Sequence, residues 1–434
     1  MLFENSLVFK ITTDLEGGTK ERPLYYLVKN KQTSDETSFE FIMDNLEDNT
    51  EALRIVAISN DQFSTKLYNI MKEEEGNLIM SPCSVSICVA MLSAGARGKT
   101  LQQIQSAFSF PPASVLHLGY KDIIPALRSS DDFITLETGN TIFASKDLSV
   151  LEDYQEVLSR SFHATIQTVE FGDNEEAAKI INSWVEKMTR DRIKNLVHED
   201  MLSSRTSLVL VSTIYFKGFW KYKFDPELTG EKDFFVSPTI TVKVLMMKKE
   251  KKFLWANLET LASTMVELPY NGDRMVMQVL LPDEKNGLAE LEEKLMTHSA
   301  QELFDQLNFE TKVELQLPKF KLERSIDLKD PLMGLGVRDM FTYGEADFSG
   351  IDGTRDQFVN QVIHKAFIEV TEDGTEAAAA TAALMECFSS AHCPPPPPAK
   401  QFIVDHPFMF YLRDRITGML VFQGRVVNMD KRAV

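Results

Sequence analysis

The chain has 434 residues, of which 44% are hydrophobic and 25% are charged, a composition typical of a folded globular protein. Its net charge of −18 argues against nucleic acid or an anionic membrane as a partner, and no apolar run is long enough to predict a transmembrane helix. Four cysteines are too few for a scaffold held together by disulfides.

Residues 1–52 form a polar, acidic extension to which the sequence assigns no role, and one large domain is predicted over residues 53–434. The start of the chain lacks a basic segment, and Glu4, Lys10 and Asp14 interrupt any apolar run, so no signal peptide is predicted. The sequence also has no Asn-x-Ser/Thr acceptor for glycosylation. These features favour the cytoplasm, and a misassigned start codon would leave an extracellular location open.

Two helices have clear sequence signals. The first is predicted to begin at Pro82 with Ser81 as its N-cap, and its segment 87–92 is apolar on all sides, so we expect it to be buried. The second covers Glu175 to Thr189, where apolar residues recur at helical spacing on one face.

The strand signals come mainly from the second half of the chain. Ser207 to Phe216 is β-branched and aromatic and predicts a central strand. Further strands are predicted at Val242 to Lys248, Met275 to Leu281 and Phe367 to Val370. Phe408 to Leu412 and Met419 to Phe422 flank a polar turn and predict a hairpin. Helices and strands alternate without a regular βαβ order, which predicts the α+β class.

Residues 371–399 do not fit this pattern. Alanine is the best helix former, so Thr375 to Met385 would be a surface helix by propensity. A strand pattern precedes this segment, however, and five prolines follow it as a stiff polyproline spacer, which favours a long exposed loop. In that second interpretation the alanines at 377–380 could fit between strands at little steric cost, with Gly374 as a hinge.

Several segments between about Leu53 and Asn428 resemble the serpin family, and they occur in the family's order and spacing. These segments are NLIMSPCSVS (77–86), INSWVEKMTRDRIKNLV (181–197), TIYFKGFWKYKF (213–224), ELPYNG (267–272), LPKFKLE (317–323), DMFTYGEADFSGI (339–351), VIHKAFIEVTEDGTEAAAATAA (362–383), HPFMFYLRD (406–414) and FQGRVVN (422–428). The C-terminal half is most similar to the leukocyte elastase inhibitor-like, ovalbumin-type branch.

The resemblance implies a fold of three β-sheets and about nine helices, with an exposed reactive-centre loop at about 372–400. It also implies a monomer without metal or cofactor, whose loop a target protease attacks as if it were substrate. After acylation the loop inserts into the main sheet as a new strand and distorts the attached protease. An enzyme is not expected, since the sequence contains no GxSxG, HExxH or phosphate-binding glycine motif.

The hinge of the loop decides between an inhibitor and a non-inhibitory relative such as a chaperone, carrier or storage protein. Inhibitory members of the family have small residues throughout this segment. The hinge residues here are Glu372, Gly374, Thr375, Glu376, Ala377, Ala378, Ala379 and Ala380. They fit the inhibitory pattern.

The family's spacing from Glu372 places the scissile bond at Phe388-Ser389. A large aromatic side chain before the bond suits the deep apolar pocket of chymotrypsin-like enzymes. Leu384 and Met385 are alternative cleavage points, and they would suit elastase-like or broader enzymes. The expected partner is therefore a chymotrypsin-, cathepsin G- or elastase-like serine protease, or a cysteine protease. Heparin is not expected, because residues 115–135 are nearly balanced in charge.

A polar cluster also resembles the family's pattern beneath the opening sheet. Trp220 matches the tryptophan at the top of that sheet, and Ser81, Ser84 and His364 match the cluster. Ser212 departs from the family, which usually has Asn there. We expect its shorter side chain to leave part of the network to a water molecule.

The four cysteines fall into two pairs. Cys387 and Cys393 flank the predicted bond, where they are either two free exposed thiols or a redox pair that restrains loop insertion when it is oxidised. Stronger inhibition without reductant than with it would contradict the redox hypothesis. Cys83 and Cys88 lie on the buried helix and are expected to be inert core residues.

Overall fold

The structure is a computed structural model, and it describes residues 9–11, 22–24, 49–128, 133–307, 309–372 and 398–429. The chain divides into two compact units, Met1–Asp48 and Asn49–Val434. In the first unit, two short strands, β1 (Phe9–Ile11) and β2 (Arg22–Leu24), pair antiparallel.

The second unit contains ten α-helices within the residues described. They are α1 (Asn49–Met71), α2 (Pro82–Gly95), α3 (Gly98–Phe108), α4 (Ala113–Arg128), α5 (Glu152–Phe162), α6 (Asn174–Met188), α7 (Leu288–Leu295), α8 (Ala300–Phe304), α9 (Lys329–Gly334) and α10 (Ser349–Asp352). Helix α2 begins as predicted, because the Ser81 hydroxyl accepts a hydrogen bond from the Ser84 amide at 3.2 Å, and nearly all of its residues are buried. Helix α6 matches the second predicted helix. None of the helices in the described ranges is long and apolar enough to cross a membrane.

The strands of the second unit follow in chain order. They are β3 (Leu78–Met80), β4 (Ile134–Ser145), β5 (Gln167–Val169), β6 (Leu208–Gly218), β7 (Gly230–Ser237), β8 (Ile240–Leu258), β9 (Ser263–Pro269), β10 (Met275–Pro282), β11 (Phe309–Pro318), β12 (Phe320–Asp327), β13 (Val359–Val370), β14 (Lys400–Ile403), β15 (Phe408–Asp414) and β16 (Leu420–Val426). Helices and strands mix without a repeating βαβ unit, so the predicted α+β class is confirmed.

One sheet of this unit has nine strands, in the order β14-β11-β8-β9-β10-β15-β16-β3, with β7 paired to β8. Strands β15 and β16 form the predicted C-terminal hairpin, in which Phe408 lies opposite Val426. The described strands therefore form three sheets, of two, five and nine strands.

The five-stranded sheet has the order β12-β13-β6-β4-β5 and is called the main sheet below. Its strands β6 and β13 are direct neighbours and run parallel, from Leu208 beside Val359 to Phe216 beside Ile368. We call the Phe216 end of this pair the upper end and the Leu208 end the lower end. Strand β6 also pairs antiparallel with β4.

Both faces of the main sheet are covered, which explains the sequence of β6. Helix α2 packs against β4 and β6 on one side. On the other side, apolar residues of α6 such as Ile181 and Val185 form a core cluster with Val209 and Val211. A strand with two covered faces needs a nearly continuous apolar run, and β6 is buried from Leu208 to Phe216, as the prediction of a central strand required.

Candidate functional site

The upper end of the main sheet is closed by an aromatic side chain. Trp220 is only 5% exposed and stacks on Tyr270 with ring centroids 4.3 Å apart. Its Nε1 donates a hydrogen bond of 2.9 Å to the carbonyl oxygen of Thr371, the first residue after β13. Trp220 therefore holds the chain at the point where it leaves the sheet.

The next residue is held by an ion pair. Lys319, which lies between β11 and β12, places its Nζ 2.9 Å from Glu372 Oε2. Burial raises the pKa of the Glu372 carboxyl, but the hydrogen bonds from Lys319 and the Glu372 amide outweigh this effect and leave that pKa below its usual value. The carboxylate therefore stays charged and fixes the first hinge residue to the body of the protein.

Glu372 is the one predicted hinge residue within the described ranges. The other residues predicted for the loop lie outside the part of the chain that the structure describes: Gly374, Thr375, Glu376, Ala377, Ala378, Ala379, Ala380, Leu384, Met385, Cys387, Phe388, Ser389 and Cys393. Their predicted roles in the hinge, the scissile bond and the redox pair stay predictions.

The structure brings the predicted polar cluster together in the middle of the main sheet. His364 Nε2 accepts a hydrogen bond of 2.9 Å from the Ser81 amide, so the ring proton lies on Nδ1. That atom is 3.1 Å from Ser212 Oγ and also 3.1 Å from the Ser212 carbonyl oxygen. The Ser212 hydroxyl donates to Ser84 Oγ at 2.9 Å, and the Ser84 hydroxyl donates to Asn140 Oδ1 at 2.7 Å. All five residues are buried.

These bonds connect three neighbouring strands and helix α2. His364 on β13 and Asn140 on β4 both lie opposite Ser212 on β6, so the three side chains stand in one row across the sheet. The Ser212 hydroxyl reaches its partners directly, so the water-mediated link that we expected from its shorter side chain is not required.

Sequence reasoning missed Asn140. The resemblance led us to expect Asn at position 212, where this chain has Ser, and the amide of Asn140 on the adjacent strand completes the network. The sequence did contain one signal. Asn is depleted in strands, yet it occurs within the β-branched segment of β4. A buried polar side chain in a strand needs hydrogen-bond partners, so Asn140 could have been predicted to belong to a polar network.

The cluster predicts a pH dependence of folding. Burial lowers the pKa of His364 to about 4, against 6.5 for a free imidazole, so only the unfolded chain binds a proton on this residue between these values. Its contribution to the free energy of unfolding is complete above pH 6.5 and is lost as the pH falls toward 4, by roughly 3 kcal/mol in total. Urea unfolding of wild type and His364→Gln across this range measures the effect.

The quantity to compare is the slope of the free energy of unfolding against pH, in wild type and in His364→Gln. Burial raises the pKa of Asp61 to about 6, so that residue titrates in the same range with the opposite sign. His163→Gln, which replaces an exposed histidine, is the control for the loss of an imidazole elsewhere in the protein. An equal slope in wild type and His364→Gln would contradict the prediction.

Cys83 and Cys88 lie in the core, as predicted. Cys88 Sγ is 3.6 Å from the Thr141 carbonyl oxygen and 3.7 Å from the Val211 carbonyl oxygen, beneath β4 and β6. Burial raises the pKa of both thiols, to about 12 for Cys88. Among the described residues, no group of three His, Cys, Asp or Glu side chains could hold a metal ion.

Comparison with known proteins assigns the family. The family model described as serpin (serine protease inhibitor) matches residues 58–429. Human Serpin B3 is 36% identical over 386 residues, which cover 85% of this chain and 97% of that protein. The leukocyte elastase inhibitor of Bos taurus is 36% identical over 383 residues, with 86% and 98% covered. The predicted likeness to the leukocyte elastase inhibitor is thereby confirmed.

The fold agrees with this result. The crystal structure of Serpin48 from the insect Tenebrio molitor superimposes with a TM-score of 0.75 at 31% identity, and the alignment covers 87% of this chain and 99% of that one. The family model spans most of the chain, the relatives exceed 30% identity over nearly their whole length, and the folds superimpose. The chain belongs to the serpin family.

Proposed function

We propose that this protein inhibits a serine protease by acting as its suicide substrate. One observation carries the proposal: β6 and β13 pair directly and in parallel along their length, and the chain leaves β13 at the upper end of that pair. Family membership and the name of the bovine relative, leukocyte elastase inhibitor, support the same general activity.

The parallel pair is suited to accept another strand. A segment that turned back after Thr371 would run antiparallel to both β13 and β6. Its insertion would replace one parallel ladder by two antiparallel ladders, which are slightly more stable per residue, and would bury further side chains. The 12 residues of β13 span about 40 Å at about 3.3 Å each, which is the length available for such a strand. The uncleaved protein would therefore be the less stable of two states.

Cleavage of the loop frees the segment that inserts into the sheet. The protease serine hydroxyl gives up its proton to the protease's own base and attacks the Phe388 carbonyl carbon. The Phe388-Ser389 peptide bond then breaks, and the Ser389 nitrogen takes up that proton and leaves as an amino group. Phe388 is then joined to the protease as an ester. Insertion of the freed hinge segment, whose small residues fit between two strands, would carry that ester from the upper end toward the lower end. Inhibition then depends on insertion being faster than hydrolysis of the ester.

The aromatic Phe388 favours a chymotrypsin-like target, and Leu384 or Met385 would suit an elastase-like one. In this proposal the chain is a monomeric inhibitor rather than an enzyme, and it needs no metal or cofactor. The cytoplasmic location favoured by the sequence also stays a prediction, with the extracellular space as the alternative.

Mixing the protein with chymotrypsin tests the proposal. We expect a complex that survives a reducing denaturing gel, together with a released C-terminal peptide that mass spectrometry shows to begin at Ser389. A peptide that begins after Leu384 or Met385 would show that the scissile bond lies there instead. Complete cleavage without a complex would contradict chymotrypsin as the target, and elastase-like and cysteine proteases would then be tested.

The alternative function is that of a non-inhibitory serpin, such as a chaperone, carrier or storage protein. The two functions differ in what cleavage does to stability. An inhibitor gains a strand when its loop is cut, so its thermal unfolding moves to a much higher temperature. Cleavage of the loop without such a shift would support the non-inhibitory alternative.

A further inference from the structure

The lower end of the β6–β13 pair is joined by side chains. The amide of Ser207, the residue before β6, donates a hydrogen bond of 2.7 Å to Asn360 Oδ1 on β13. The Ser207 hydroxyl donates a second hydrogen bond to Gln357 Oε1, just before β13. We call Ser207, Gln357 and Asn360 the lower clasp.

The lower clasp stands where the backbone ladder is interrupted. Val359 pairs with Leu208 and Gln361 pairs with Val209, so Asn360 is an extra residue on β13 without a partner of its own in that register. Such a bulge redirects the side chain of the extra residue. The Asn360 side chain is therefore free to reach Ser207, just below the first paired residue of β6, and its amide oxygen accepts the Ser207 amide hydrogen.

The lower clasp also borders open space. A cleft of about 670 Å³ lies beside it, with Ser207 and Gln357 in its wall and the rings of Tyr343 and Phe358 on another side. Ser207 and Gln357 therefore border space into which their side chains can move when the two strands separate. Opening at this end therefore has to break the two clasp hydrogen bonds in addition to the pairing of Val359 with Leu208.

We propose that the lower clasp controls the last stage of main-sheet opening, an inference that rests on the proposed inhibitory function. Neighbouring strands lie about 4.8 Å apart, so an inserted strand doubles the distance between β6 and β13 and breaks both clasp bonds. Trp220 acts at the upper end and the His364 cluster in the middle. An insertion that starts at the upper end meets the lower clasp last, and its opening rate then decides whether insertion is completed before the ester is hydrolysed.

Annealing of a peptide tests the lower clasp without a protease. A synthetic peptide with the sequence of residues 375–386 is added to the uncleaved protein, and its uptake is followed by native gel and by the rise in unfolding temperature. We expect Asn360→Ala and Ser207→Ala to take up the peptide several-fold faster than wild type. Asn360→Asp, which keeps an oxygen acceptor for the Ser207 amide, should anneal at close to the wild-type rate.

The matched control is Asn77→Ala. Asn77 Oδ1 also accepts a backbone amide hydrogen at 2.7 Å, from Val427, and that bond lies at the edge of the nine-stranded sheet. The Asn77→Ala variant should anneal the peptide at the wild-type rate. Two results would overturn the proposed role of the clasp but not the inhibitory function. In the first, wild type takes up the peptide and Asn360→Ala and Ser207→Ala are no faster. In the second, Asn77→Ala is accelerated as much as they are. No uptake by wild type or any variant would overturn the proposed role of the clasp, whereas the complex with chymotrypsin tests the inhibitory function separately.

Discussion

Replacement of Ala377 by proline will convert the protein from an inhibitor into a substrate. Proline has no amide hydrogen and is excluded from central strands, because it leaves the facing carbonyl of the ladder without a donor, at a cost of about 1–3 kcal/mol. A change of 1.4 kcal/mol alters a ratio of rates about tenfold, so the fraction of encounters that ends in a trapped complex should fall by about tenfold. Cleavage of the loop itself should continue at close to the wild-type rate.

The measurement is the yield of denaturant-stable complex with chymotrypsin, compared with the yield of cleaved protein. Ala391→Pro is the matched control, because residue 391 follows the predicted bond and is not part of the segment that we propose to enter the sheet. It should form as much complex as wild type. Equal complex yields from Ala377→Pro and wild type would contradict insertion of this segment.

Replacement of Trp220 by alanine will lower the free energy of unfolding by about 3–5 kcal/mol, the usual cost of truncating a buried tryptophan. The ring is 5% exposed, stacks on Tyr270 and meets the edge of Phe224 at 6.1 Å. Trp220→Phe keeps most of this packing but loses the hydrogen bond to the Thr371 carbonyl. We expect it to cost only about 1 kcal/mol and to accelerate uptake of the loop peptide.

Urea unfolding measures the stability of these variants, and peptide annealing measures how easily the upper end opens. Trp255→Phe is the matched control, since Trp255 Nε1 has no hydrogen-bond partner in the described part of the chain. That exchange removes an indole N–H without breaking a hydrogen bond. A Trp220→Phe protein that takes up peptide no faster than Trp255→Phe would contradict a role of the Thr371 bond in holding the upper end.

Features set by neighbouring residues could be predicted from the sequence. The Ser81 cap depends only on the chain around Pro82, and the buried character of β6 follows from its continuous apolar run. The association of Ser81, Ser84, Ser212 and His364 could be predicted only from the serpin resemblance. Nothing in the local sequence around His364 indicates which strands lie beside it.

Features that depend on strand register could not be predicted. Asn140 and Ser212 face each other because β4 and β6 pair in one register out of several that their apolar runs would allow. The Ser207–Asn360 bond depends in addition on a bulge, which adds one residue to β13 without any strong signal in the sequence. The hydrogen-bond partners of both networks therefore required the structure.

Strand β8 shows how tertiary contacts override a local pattern. The sequence predicted a strand only over Val242 to Lys248. The observed strand continues to Leu258. Pairing with β11 makes this possible, since Lys312 forms a 2.7 Å ion pair with Glu250 and Lys248 forms a 2.6 Å ion pair with Glu314 across the two strands.

The buried thiol of Cys88 gives the protein an internal reporter of its own conformation. The sulfur lies under the main sheet between the carbonyl groups of Thr141 and Val211, and its raised pKa makes it unreactive while the sheet is in place. In a background with Cys387→Ser and Cys393→Ser, alkylation of the remaining cysteines would require transient exposure of this core. The alkylation rate would then give the frequency of such openings in the intact protein, without any dye or added probe residue.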